Sequence, residues 1–73
     1  MGKLGQVSRA EVVAALERLG FVRVSQKGSH VKMRHANGRM TIVPVHPGDM
    51  PAGTLRGILR QAGVTADEFA AVV

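Results

Sequence analysis

Val12, Leu16 and Leu19 recur at helical spacing behind Ser8-Arg9-Ala10-Glu11. That lead is a capping box: the Ser8 hydroxyl can accept from a first-turn N–H, and the Glu11 carboxylate can reach back to the Ser8 N–H. Gly20 supplies the left-handed residue that stops such a helix, and Phe21 beyond it can pack on Leu16. The spacing therefore predicts a helix over about 9–19. The period then changes from helical to alternating. Val22 and Val24 alternate with Arg23 and Ser25, Val31 and Met33 with His30, Lys32 and Arg34, and Met40 and Ile42 with Arg39 and Thr41. Lys27-Gly28 marks one turn, and Asn37-Gly38 is the strongest short hairpin signal. Three antiparallel strands follow, each with an apolar and a polar face.

All three prolines fall between Pro44 and Pro51, a loop leading out of the sheet. Leu55, Ile58, Leu59 and Ala62 form a second helical stripe ended by Gly63. Thr65-Ala66-Asp67-Glu68 is another capping box, opening a short terminal helix with Phe69 and Val72. Residues 1–7 carry no periodic signal and read as a loose lead-in. The expected fold is α+β: a three-stranded antiparallel sheet with its helices on one face, in the order α-β-β-β-α, plus a short C-terminal helix. At 73 residues the chain is one domain, 1–73.

Composition adds two constraints. Cysteine is absent, which removes disulfides and thiolate metal sites, and no long apolar run or leader pattern is visible, so a cytoplasmic protein without membrane attachment is expected. The net charge of +5 is concentrated: residues 1–20 carry +1, residues 21–39 carry +5 with no acid among them, and residues 40–73 carry −1. A cationic surface of that kind is the footprint of a phosphate-backbone binder.

If Val31 and Met33 face the core, alternation turns His30, Lys32 and Arg34 outward. Arg39 and Thr41 are expected on the same face, with Arg23 beside them. An imidazole among cations attracts a phosphodiester. Trp and Tyr are absent and the two Phe have core roles, so the stacking platforms of single-strand readers are missing. No carboxylate in the basic segment is placed to hold Mg²⁺, which favours chemistry without a metal. The available nucleophile is then the 2′-OH of RNA, and imidazole, with an ordinary pKa of about 6.5, suits the proton transfers. His35, on the Val31/Met33 side or in the turn, reads as structural. His46, in the proline-rich loop, is a second proton carrier or a loop-ordering group. The three histidines match no compact metal-ligand spacing, and no cofactor is implied. Arg56 and Arg60 read as an ordinary solvated face.

Leu19-Gly20-Phe21, Lys27-Gly28-Ser29-His30, Val43-Pro44-Val45-His46-Pro47 and the run from Gly53-Thr54-Leu55 to Gly63 together resemble the HicA mRNA interferases. The likeness runs in order from about Ser8 to Phe69. It implies a double-stranded-RNA-binding-domain-like fold, cleavage of mRNA, and a required histidine in the Gly-Ser-His motif, which is His30. It also implies a HicB-type antitoxin that binds the toxin and masks its active site. One departure is Met33, where the family often has an aromatic residue. The expected site is thus His30 as catalytic residue, with Lys27, Ser29, Lys32, Arg34 and Arg39 holding RNA and His46 and Arg23 as accessory groups. The alternatives are a non-catalytic RNA-binding module using the same face, and a protein-interaction domain with an acidic partner.

Overall fold

The computed structural model describes residues 7–45 and 50–73. Its elements are α1 (Arg9–Arg18), β1 (Phe21–Lys27), β2 (His30–His35), β3 (Met40–Pro44), α2 (Ala52–Ala62) and α3 (Ala66–Ala70). The α+β class and the element order agree with expectation. One antiparallel sheet runs β1-β2-β3, and the helices cover one of its faces.

Both predicted capping boxes form. Ser8 Oγ accepts from the Glu11 N–H at 3.2 Å and Glu11 Oε1 accepts from the Ser8 N–H at 2.8 Å. Thr65 and Glu68 repeat the exchange at 3.0 and 2.9 Å. Each box satisfies two donors that a helix start leaves open, worth about 1 kcal/mol per cap. Gly20 (φ +99°) ends α1 and Gly63 (φ +70°) ends α2, both in the left-handed region that a side chain resists. The predicted α2 stripe of Leu55, Ile58, Leu59 and Ala62 is the buried one. These side chains meet Val12, Leu16, Phe21, Val31, Met33, Val43, Met50 and Phe69 in a single core. Val7 corrects the lead-in expectation. It is buried, and its carbonyl accepts from the Met50 N–H at 3.0 Å, so Val7 is tied to the start of α2, while residues 1–6 of the expected lead-in lie outside the described residues.

The sheet departs from simple alternation in two places, and both set the candidate site. The β2–β3 turn keeps Asn37-Gly38 but uses three loop residues. The Gly38 N–H donates to the His35 carbonyl at 2.9 Å, the His35 N–H donates to the Arg39 carbonyl at 2.8 Å, and Gly38 alone has positive φ. This is a type I turn with a glycine bulge, whereas a two-residue type I′ turn needs positive φ at both central residues. The extra residue pairs Arg34 with Met40 and Met33 with Thr41. A two-residue loop would have paired Arg34 with Thr41. A one-residue shift inverts every side chain of a strand. Thr41 and Val43 are accordingly buried, while Met40 and Ile42 face outward, the reverse of the predicted phase.

The second departure is a bulge in β1 between Arg23 and Ser25. Before it, Phe21 and Arg23 pair with His35 and Met33 on the helix side. After it, Gln26 pairs with the buried Val31. Val22 and Val24, expected in the core, are exposed.

Candidate functional site

The open face is assembled by the register. Its central column is His30, Lys32 and Arg34 of β2. Across the ladder, Lys27 and Pro44 flank His30, Ser25 and Ile42 flank Lys32, and Val22 and Met40 flank Arg34. Directly opposed residues of neighbouring strands share a face, which places all nine side chains on the side away from the helices.

His30 is presented by the β1–β2 hairpin. Only Gly28 and Ser29 separate the paired residues Lys27 and His30, and Gly28 takes φ +59°. Type II′ hairpins place glycine at that first central position, and their twist matches the strands. The short loop holds Lys27 and His30 as direct cross-strand neighbours. Ser29 is half-buried at the tip, its carbonyl accepting from the Val45 N–H at 2.6 Å.

A shallow depression of about 380 Å³ opens at this end of the face, lined by Ser25, Lys27, His30, Lys32 and Ile42. It combines one imidazole, two ammonium groups and a hydroxyl, with no carboxylate among the five. None of the His30, Lys27, Lys32 or Arg34 side chains has a hydrogen bond or ion pair within the described residues, so the charges of the two lysines and Arg34 are not neutralised there. A phosphodiester in the depression would meet two cations and a nitrogen able to give or take a proton.

The structure therefore gathers His30, Lys27 and Lys32, leaves Arg34 further along the same column, and places Ser29 at the adjoining tip. It moves two expected members elsewhere. Arg39 lies on the helix side of the sheet. Its Nη1 donates to the Ala62 and Gly63 carbonyls at 3.1 and 2.9 Å, its Nε to Asn37 Oδ1 at 3.2 Å, and its guanidinium carbon is 5.5 Å from the Phe21 ring centre. The register shift directs it to the C-terminal carbonyls of α2, where a cation offsets the helix dipole. Arg23 lies beside α1, with its Nε 3.5 Å from Glu17 Oε2. Its strand phase, set ahead of the bulge, sends it there. His46 lies outside the described residues.

His35 takes the structural position expected of it. Its ring meets Phe21 edge-on, with centroids 5.2 Å apart at 72°. Its Nδ1 accepts from the Asn37 N–H at 3.1 Å. Thr41, expected in the open, is wholly buried. Its hydroxyl is 3.2 Å from the Ile58 carbonyl and 3.0 Å from Gln61 Oε1, so the polar atom is satisfied. Arg56 and Arg60 are exposed on α2.

Sequence reasoning missed Ile42 as a lining residue and gave Ser25 no role. The signal for Ile42 was available in Val43: an apolar residue in the opposite phase to Met40 and Ile42 shows that two registers were open, and loop length chose between them. Nothing local signalled the bulge that separates Ser25 from Arg23.

Among the described residues no helix is long and apolar enough to cross a membrane. The model of one protein family, described as HicA toxin of bacterial toxin-antitoxin, matches residues 9–64 of the chain. No curated protein matches it.

Proposed function

The chain belongs to the HicA toxin family of bacterial toxin–antitoxin systems, and from this premise and the open sheet face we propose that it is a metal-independent endoribonuclease of the cytoplasm that cleaves mRNA. Membership makes it the toxin of such a pair and implies an antitoxin partner. The observation that carries the chemical reading is the depression that joins His30 to Lys27 and Lys32 without an acid.

In the proposed reaction the ribose 2′-oxygen attacks the adjacent phosphorus and the bond from phosphorus to the 5′-oxygen breaks. The products are a 2′,3′-cyclic phosphate and a 5′-hydroxyl. The 2′-hydroxyl gives up a proton and the leaving 5′-oxygen takes one. His30 serves as base in the first transfer or as acid in the second, and its place beside the phosphate suits either. Lys27 and Lys32 hold the phosphate and offset the charge that builds on its oxygens, with Arg34 and Ser29 engaging the neighbouring backbone. The missing carboxylates make a protein-held Mg²⁺ a poor fit to this face.

The partner proposed for the same face is a HicB-type antitoxin whose acidic surface complements the uncompensated cations and blocks RNA. A small reading frame encoding it is expected beside the gene. The test of the chemistry is to incubate RNA with the protein in EDTA and to analyse the ends. Cyclic phosphate and 5′-hydroxyl termini, lost in His30→Ala while the variant still folds, are the expected result. Termini bearing 5′-phosphate, or cutting abolished by EDTA, would contradict the mechanism. An His30→Ala protein that keeps the full phenotype would instead mark a non-catalytic RNA binder.

A further inference from the structure

The register leaves the cations of the open face in one file rather than spread over three strands. Lys32 and Arg34 continue the line of β2 from His30, and Lys27 stands beside His30 at its head. Arg23 and Arg39, the two cations that the flanking strands would otherwise add, are turned to the helix side and engaged there. What flanks Lys32 and Arg34 is uncharged: Ser25 and Val22 on β1, Ile42 and Met40 on β3. Among the described residues no cation continues the file past His30, where the chain turns through Gly28 and Ser29. Beyond its head the file is one residue wide, and it runs from His30 in one direction only.

These dimensions select the form of a nucleic acid. An antiparallel strand rises about 3.4 Å per residue, so side chains two apart project about 6.8 Å from each other and the file from His30 to Arg34 is about 14 Å long. A sugar–phosphate repeat of extended backbone is comparable in length to one such step. A single strand laid along β2 therefore meets a cation at each of three successive phosphates. A duplex presents its phosphates in two rows, and proteins that grip one reach across its grooves to both. Here the neighbouring strands, about 4.8 Å to either side, offer Val22, Met40 and Ile42. Aliphatic groups can lie against a ribose or the face of a base, but they give a second row of phosphates nothing to bind.

We propose that RNA enters this site as a single strand in single file along β2. The scissile phosphate lies in the depression, and the next two phosphates, on one side of the cut only, are drawn by Lys32 and Arg34 in turn. This rests on the nuclease reading above and adds the form of the substrate, the length of its footprint and its asymmetry. Nucleotides on the other side of the cut leave the sheet at the hairpin tip and contribute little. Arg34 is a positioning residue: it touches no reacting atom and holds the backbone two steps from the cut.

The test uses the full chain and a deoxythymidine oligonucleotide carrying one ribouridine, so that only the phosphate on the 3′ side of that ribose can be cut. Uncharged methylphosphonate linkages are placed one, two or three steps from it on either side, and kcat/KM is measured. The expected result is about a tenfold loss at each of the first two linkages on one side, with changes within about twofold at the third and throughout the other side. In Arg34→Met the second linkage becomes indifferent while the first keeps its effect. Annealing a complementary strand should lower cleavage about tenfold or more. Equal sensitivity on both sides, an unchanged pattern in Arg34→Met, or a duplex cut as fast as the single strand would overturn the proposal. A parent protein that leaves the ribouridine uncut would remove the nuclease reading instead. Fluorescence anisotropy with the same oligonucleotides would then still decide the track, through the same pattern in Kd.

Discussion

The two faces of the sheet carry the same residue types and use them in opposite ways. On the covered face, Arg23, His35 and Arg39 are each engaged: Arg23 with Glu17, His35 with Phe21 and the Asn37 N–H, Arg39 with the α2 carbonyls. On the open face, His30, Lys32 and Arg34 have no such partners among the described residues. A cation or imidazole whose hydrogen-bonding groups are already occupied contributes to stability. One left in solvent among like charges contributes nothing to the fold and is available to a ligand. The difference teaches that residue type does not separate structural from working groups in this chain. Strand phase does.

That contrast can be broken most severely at its two histidines. His30→Ala should lower RNA cleavage by about 10²–10⁴-fold, with a thermal midpoint close to that of the parent. His35→Ala should do the reverse, lowering the midpoint while the folded fraction keeps its activity. If both variants lose activity at unchanged stability, the division between faces fails.

A smaller effect is expected at Gly20. A Cβ there would lie 2.8 Å from His35 Nε2, at a φ of +99° that side chains resist. Gly20→Ala should cost about 2 kcal/mol or more of stability, read from urea unfolding. A neutral result would mean that the His35 ring is not held against α1's end.

Next come the arginines. Arg39→Met should cost about 1–2 kcal/mol by removing the cap on α2, and should leave RNA binding nearly intact. Arg34→Met should leave the unfolding midpoint in place and weaken RNA binding. Equal loss of RNA affinity in both would return Arg39 to the open face. The smallest effect belongs to Glu17→Gln, which breaks an ion pair between two half-exposed side chains. A change of under about 0.5 kcal/mol is expected, and a larger one would show that Arg23 is structurally more important than its exposure indicates.

Much of the fold was legible because its signals are local. The capping boxes at Ser8 and Thr65, the stops at Gly20 and Gly63, and the α2 stripe each depend on residues within one or two turns. The β2 phase was equally legible, since Val31 and Met33 are apolar between polar neighbours with no bulge to shift them. His30, Lys32 and Arg34 were therefore placed on the open face from the pattern alone. The outer strands were not. Both readings of β3 alternate well, with Met40 and Ile42 in one phase and Thr41 and Val43 nearly opposite them.

The sequence by itself determined the helices, the turns, the central strand and hence the cationic column around His30, because periodicity and backbone preference act over a few residues. Only the tertiary structure decided which side Arg39, Arg23, Thr41, Met40 and Ile42 would take. That choice hung on one extra loop residue and one bulge, whose energies depend on how β1 and β3 pair with β2 and pack against the helices. A one-residue difference in pairing is almost invisible along the chain, yet it exchanges the two faces of a strand.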